Sequence, residues 1–162
     1  MYTAKIITVS DRSYRNERED LSGPAVSTLL KSYNYDVVDT SIVPDELELI
    51  VEELENAVDC NINLIITTGG TGFSKRDITP EATKLVIERE ASGISEYMRY
   101  KSMNITPRGM LSRGVSGVKN NSLIINLPGS PKGAVENLGF VIEHLSHGLK
   151  MLLLDNNDCA IE

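Results

Sequence analysis

The sequence predicts a three-layer α/β/α fold around a mainly parallel central sheet, and two observations carry that prediction. Short apolar runs rich in β-branched residues, at 4–9, 64–68 and 123–127, have the composition of strands buried on both faces. Stretches of helical period separate them, and strands that alternate with helices require right-handed crossovers and helices on both faces of the sheet. A length of 162 residues with 41% hydrophobic content suits one domain spanning 1–162.

The first strand, 4–9, is closed by the polar group Ser10-Asp11-Arg12, and the charged stretch 15–20 reads as a mobile surface loop. A helix follows over 24–33, with Pro24 in the first turn, where its missing N–H costs nothing, and Val26, Leu29 and Leu30 as the inward stripe. Residues 37–43 repeat the strand signal. After Pro44, Asp45 with Glu48 three residues on forms a capping-box pattern, and Leu47, Ile50, Val51, Leu54 and Val58 keep helical period. The strand 64–68 is stopped by Gly69-Gly70-Thr71-Gly72. Thr79 as N-cap, Pro80 at the first helical position and Glu81 near the positive end of the dipole open a helix carried by Ala82, Leu85, Val86 and Arg89. A shorter helix is expected over 94–103. The strand 123–127, the tight turn Pro128-Gly129-Ser130-Pro131 and a long helix over 134–154 complete the chain, the helix with Val135, Leu138, Val141, Ile142, Leu145 and Leu149 on one face.

Composition narrows the function classes. A formal net charge of −7 argues against nucleic-acid binding, which needs a basic face to displace counterions. The acidic group Glu46, Glu48, Glu52, Glu53, Glu55 and Asp59 reads as a solvated helix face. The longest apolar run, 151–154, is far short of the ~20 residues of a membrane span, and the N-terminus does not read as a signal peptide. A soluble, cytoplasmic protein without a membrane partner is expected. Cys60 and Cys159 form neither a disulfide framework nor a C-x-x-C site, and read as a buried small hydrophobe and a tail residue. His144 and His147 lack a third metal ligand in register and read as ordinary helix residues, while Met98, Met103 and Met110 read as core or interface fillers.

In an open parallel sheet, ligands bind in the crevice outside the carboxyl ends of the strands. That rule gathers Ser10-Asp11-Arg12, Val43-Pro44-Asp45-Glu46, Gly69-Gly70-Thr71-Gly72 and Pro128-Gly129-Ser130-Pro131 at one edge. The glycine loop lets backbone N–H groups approach an anion and adds the Thr71 hydroxyl, although such a loop after a strand is also simply a turn. Asp45 and Asp77 each lie next to a helix start, where two carboxylates can hold Mg²⁺ beside nucleotide phosphates. Taken singly, Asp45 also reads as an N-cap and Asp77 as a salt-bridge partner of Arg76 or Lys75. No protein nucleophile is evident, which suits phosphoryl or nucleotidyl transfer, chemistry that rests on positioning and charge neutralisation.

The run Thr67-Thr68-Gly69-Gly70-Thr71-Gly72-Phe73-Ser74-Lys75-Arg76-Asp77-Ile78-Thr79-Pro80-Glu81-Ala82-Thr83 closely resembles the signature of the molybdopterin adenylyltransferases, the family that includes the G domains of gephyrin and its plant counterpart. Thr8-Val9-Ser10-Asp11-Arg12, Asp20-Leu21-Ser22-Gly23-Pro24, Val43-Pro44-Asp45-Glu46, Met110-Leu111-Ser112-Arg113-Gly114 and the block from Leu123 to Pro131 resemble further family blocks in family order. The resemblance implies the molybdopterin-binding fold, a homotrimer, and Mg²⁺-dependent use of ATP to adenylylate molybdopterin with release of pyrophosphate. It implies that Asp45 and Asp77 are the catalytic, metal-holding pair; a sister branch lacks the proline-aspartate that stands here as Pro44-Asp45. It links Ser112 to the ligand pocket and Pro128, Gly129 and Ser130 to the nucleotide side. Arg12, Arg113 and Lys132 then read either as extra charge stabilisers or as surface bases. No lysine directly follows the glycine loop, as it does in an ATP-gripping loop, so the pterin is the expected occupant of Gly69 to Gly72. A molybdenum-insertion protein is a possible recipient of the product. Two other readings stay open: a non-catalytic molybdopterin-binding scaffold, and a nucleotide hydrolase related to the competence-damage family.

Overall fold

The computed structural model describes residues 1–154. Six strands form one sheet in the order β2-β1-β3-β6-β5-β4, with β1 (Tyr2–Val9), β2 (Tyr35–Val43), β3 (Leu64–Thr68) and β6 (Ser122–Leu127) parallel. Two further strands extend the sheet beyond β6: β5 (Ser116–Lys119) pairs antiparallel with β6, and β4 (Arg89–Glu90) pairs antiparallel with β5 at the edge. The helices are the single turn α1 (Asp11–Tyr14), then α2 (Ser22–Ser32), α3 (Leu47–Asp59), α4 (Thr79–Val86), α5 (Ser92–Met103) and α6 (Pro131–Leu153), with a 3₁₀ turn at Pro107–Leu111.

Strand periodicity divides the core in two. Ala4, Ile6, Leu64, Ile66, Leu123, Ile125 and Leu127 point to the side covered by α2, α5 and α6, where Val26, Leu30, Met98, Leu138, Ile142 and Leu145 meet them. The alternate residues Ile7, Val9, Ile65 and Ile124 point to α3 and α4, against Ile50, Leu54, Ala57, Ala82 and Val86. The three layers expected from the sequence are present, and β1, β3 and β6 are buried on both faces.

Several local expectations are corrected. The helix after the first loop starts at Ser22 because Asp20 Oδ1 accepts the N–H groups of Ser22 and Gly23 at 3.0 and 3.1 Å. Asp20 is thus a half-buried anchor, while residues 15–19 are exposed as expected. The capping box at Asp45 does not form, since α3 begins at Leu47 with Glu46 in the cap position and no side-chain cap, and the Asp45 carboxylate is engaged elsewhere. Thr79 is inside α4, its hydroxyl turned to Gly69 O, and Ile78 occupies the cap. That helix ends at Val86, leaving Leu85 67% exposed and Arg89 in β4. The β5–β6 hairpin was not expected; four residues including Gly117 are a weak strand signal, although Asn120 with φ of 50° makes the turn. Cys60 is exposed at the end of α3, contrary to the buried role expected of it, and Cys159 lies outside the described residues. The acidic face of α3 is solvated except at Glu53, whose carboxylate lies 2.8 Å from the buried Lys5 Nζ. His144, His147, Met103 and Met110 are exposed, and Met98 is in the core. No described helix is long and apolar enough to cross a membrane.

Candidate active site

In the parallel block Val9 pairs with Val43, Thr8 with Thr68, and Thr68 with Leu127, so the loops after all four strands leave from one edge. The chain runs from β1 outward to β2 and then returns to β3 on the other side of β1. This places the β1 and β3 loops at a topological switch point, where the crossovers diverge and open a crevice. A cavity of about 310 Å³ lies there, lined among others by Ser10, Asp20, Asp45, Gly70, Asp77 and Ser130. A second, of about 320 Å³, adjoins it and shares Ser130; Thr71, Gly72, Arg108, Ser112 and Asn137 line it.

The glycine loop separates the two cavities, and its conformation explains its composition. Gly69 and Gly70 have φ of 98° and 64°, a region that L side chains adopt only with strain. A Cβ at Gly69 would stand 2.3 Å from Val9 O, and one at Gly70 would stand 2.2 Å from Thr79 Oγ1. Gly129 is confined less severely, 3.1 Å from Gly69 Cα at the position of an added Cβ, so the β3 and β6 loops touch. Thr79 holds the loop twice, donating from its hydroxyl to Gly69 O at 2.9 Å and from its N–H to Gly70 O at 3.1 Å. The N–H groups of Gly70, Thr71, Gly72 and Phe73 donate to no group among the described residues, whereas Gly69 N–H and Ser74 N–H both have partners.

The carboxylates are fixed by the loops that carry them. Asp45 Oδ2 accepts Asp11 N–H at 2.9 Å, and Asp11 Oδ1 accepts Asp45 N–H at 3.1 Å, a reciprocal exchange that ties the β1 loop to the β2 loop. Arg76 closes the arrangement from the β3 loop, donating to both Asp11 oxygens and to Glu46. Its hydrogen bonds hold the Asp11 carboxyl below the usual range. Asp45 behaves oppositely: burial raises its pKa, and the neighbouring charges of Asp11 and Asp77 add to the rise. Asp77 Oδ2 accepts Ser74 N–H at 3.0 Å, which leaves its other oxygen without a backbone bond. The alternative reading of Asp77 as a partner of Arg76 does not apply, since Arg76 pairs with Asp11 and Glu46.

The remaining expected residues divide. Ser10, Asp45, Gly69, Gly70, Asp77, Gly129 and Ser130 line the first cavity, and Thr71, Gly72, Ser112, Pro128 and Ser130 the second. Asp11 stands behind Asp45 as its brace. Arg12 is exposed and lines neither cavity; Lys132 is 83% exposed, 3.8 Å from Glu136. Arg113 does not line either cavity, and its guanidinium is directed at Gly72 O, Asp77 O and Glu81. Sequence reasoning missed Arg18 and Asp20 on the first cavity, and Asn137 on the second. Asp20 had a signal in its Asp20-Leu21-Ser22-Gly23-Pro24 block; the bond it accepts from Thr8 Oγ1, 2.7 Å, follows from no spacing rule.

The family model described as "Probable molybdopterin binding domain" matches residues 5–147. The molybdopterin adenylyltransferase of Helicobacter pylori is 40% identical over 151 residues, which cover 91% of this chain and 86% of that protein. Gephyrin of Dictyostelium discoideum is 38% identical over 157 residues, 91% of this chain, but the chain spans only 22% of gephyrin's length. The crystal structure of the molybdopterin biosynthesis enzyme MoaB from Thermus thermophilus superposes with a TM-score of 0.90 at 43% identity, covering 94% of this chain and 96% of that one. With the family model matched over most of its length and its fold shared with that crystal structure, the chain belongs to the molybdopterin-binding domain family.

Proposed function

We propose that this protein transfers AMP from ATP to the terminal phosphate of molybdopterin, a step of molybdenum cofactor biosynthesis. The observation that carries the reading is the convergence of Asp45, Asp77 and Gly70 on one cavity, with Gly70 the first of four successive residues, Gly70 to Phe73, whose amides have no partner among the described residues. Acidic groups and an anion cradle side by side suit a nucleotide that arrives with its cation. The names of relatives about 40% identical over most of the chain support the same step.

The donor set fits Mg²⁺. Two hard carboxylate oxygens at a cavity are what this ion takes from a protein when substrate phosphates complete its shell, and the raised Asp45 pKa marks a carboxylate whose ionised form lacks compensating charge. When bound, the ion would neutralise the nucleotide phosphates. The chain's own residues supply orientation. The loop amides bind phosphate oxygens, Asp11 and Ser74 hold the two aspartates in place, and the touching β3 and β6 loops bring the phosphates of two substrates to the seam between the cavities. A molybdopterin phosphate oxygen attacks the α-phosphorus of ATP, the new O–P bond forms as the bond to the β-phosphate oxygen breaks, and pyrophosphate leaves. One ring system, pterin or adenine, occupies each cavity.

The test is incubation of the purified protein with ATP and Mg²⁺, with and without molybdopterin, followed by chromatography of the products. Pyrophosphate and adenylyl-molybdopterin that appear only when molybdopterin is present support the reading. Binding without turnover would instead favour a scaffold, and release of AMP without molybdopterin a hydrolase.

A further inference from the structure

The four amides of the glycine loop that have no partner among the described residues owe this to what lies behind the loop. In a trans peptide the C=O of one residue and the N–H of the next point in opposite directions, and no cis peptide occurs among the described residues. Each carbonyl of the loop is held on the far side: Gly69 O by the Thr79 hydroxyl, Gly70 O by Thr79 N–H, Thr71 O by Arg113 N–H at 2.9 Å, and Gly72 O by Arg113 Nε at 2.7 Å. Fixing those four carbonyls turns the N–H groups of Gly70, Thr71, Gly72 and Phe73 away from Thr79 and Arg113. Arg113 also donates from Nη2 to Asp77 O, so one guanidinium spans both ends of the 72–77 segment that carries an active-site aspartate. Glu81 on α4 holds the outer nitrogen Nη1.

We infer that Arg113, together with Thr79, is a positioning residue that aims the loop amides and Asp77 at the bound phosphate, and not a phosphate ligand. This rests on the proposed reading only in supposing that the loop receives an anion. The planar guanidinium presents several donors in a fixed fork, and Arg113 bridges Gly72 O and Asp77 O from two different nitrogens, Nε and Nη2; a lysine ammonium carries all its donors on one nitrogen and cannot reproduce that fork.

The inference is tested with R113K and R113Q by two measurements that need no molybdopterin: amide hydrogen exchange across 69–78 and calorimetric titration of Mg-ATP. Both variants are expected to exchange faster in that segment alone, with the rest of the sheet unchanged. Both should also bind Mg-ATP roughly tenfold more weakly, the loss of about one charge-assisted hydrogen bond, with little added salt dependence. T79V, which removes only the hydroxyl bond to Gly69 O, should repeat the pattern from the other end of the loop and serves alone should neither Arg113 variant fold. Recovery of near-wild-type Mg-ATP affinity in R113K, with segment exchange unchanged in R113Q, would show a direct charge contact and overturn the inference; so would unchanged exchange and affinity in T79V. A wild-type protein that binds Mg-ATP but transfers no AMP would instead count against the proposed function and leave the clamp standing.

Discussion

At the scale of single residues, the aspartates and the glycines are separable by experiment. Asp77→Asn keeps an oxygen for Ser74 N–H and changes little in packing, so it is expected to retain the wild-type melting temperature while AMP transfer falls at least about a hundredfold. Normal turnover in a normally stable variant would remove Asp77 from the proposed chemistry. Gly70→Ala is expected to act on both counts. The added Cβ would meet Thr79 Oγ1 at 2.2 Å and Asp45 Oδ1 at 3.2 Å on a backbone of positive φ, costing about 1–3 kcal/mol and weakening Mg-ATP binding. A denaturation midpoint and a titration at wild-type values would mean that this loop tolerates what its geometry forbids. The sequence reading assigned the loop to the pterin; the structure sets Gly70 on the cavity with Asp45 and Gly72 on the other, so the loop borders both. Asp45, Asp77 and the glycines were legible because their residue types announce their chemistry. The work of Arg113 and Thr79 was not, because a bond from residue 113 to residue 72 depends on how the segment between the 3₁₀ turn and β5 meets the loop after β3, which no local pattern encodes.

At the scale of elements, periodicity located β1, β3, β6 and all the longer helices to within a few residues, because these are buried on regular faces. It failed where contacts along the chain gave way to contacts across it, as at Asp45 and Thr79, whose side chains serve other loops instead of capping their own helices. The first strand pair holds another such case. Between Ala4 and Lys5 the register slips by one residue, so Lys5 pairs with Asp39 and its Nζ reaches Asp39 at 2.7 Å and Glu53 on α3 at 2.8 Å. Burial opposes the charge on both Lys5 and Glu53, but their mutual pairing wins, holding the lysine pKa up and the Glu53 pKa down; Asp39 is lowered mainly by its bond to Lys5. The carboxylate contribution is therefore present above the ordinary Asp and Glu values, 3.8 and 4.5, and is lost as pH falls through their lower folded values. Lys5→Met is expected to cost about 2 kcal/mol at pH 7, less than a fully buried pair because Asp39 is half exposed. Urea midpoints measured down the acid limb should converge with those of the wild type as pH drops below 4; parallel curves would show that this network does not set the acid response.

At the scale of the molecule, the order of the family blocks identified the fold, and the switch point identified the edge that carries the site. Assembly is a separate matter. Tyr97, Tyr100 and Met103 on α5, Ile105 beyond it, and Met110 and Leu111 on the 3₁₀ turn are all between 42% and 63% exposed, a clustering along the chain that favours a partner. Met151, Leu153 and Leu154 at the end of α6 are also exposed. We expect a homotrimer, as the family resemblance implies, and sedimentation at micromolar concentration should return the mass of three chains. A monomer would leave those side chains without an explanation in assembly.

The reciprocal exchange between Asp11 and Asp45 bears on when disorder is lost. A carboxylate free to rotate must give up its rotamers as it meets a ligand, an ordering cost of about 0.5–1.5 kcal/mol for a rotamer-rich side chain. Asp45 has already given them up, because one oxygen is held by a backbone amide 34 positions away from the moment that the two loops close together. Its second oxygen thus waits in a single orientation. The entropy of that choice is charged to folding, and under the proposed function an incoming phosphate and its cation would meet a surface that has no further decision to make.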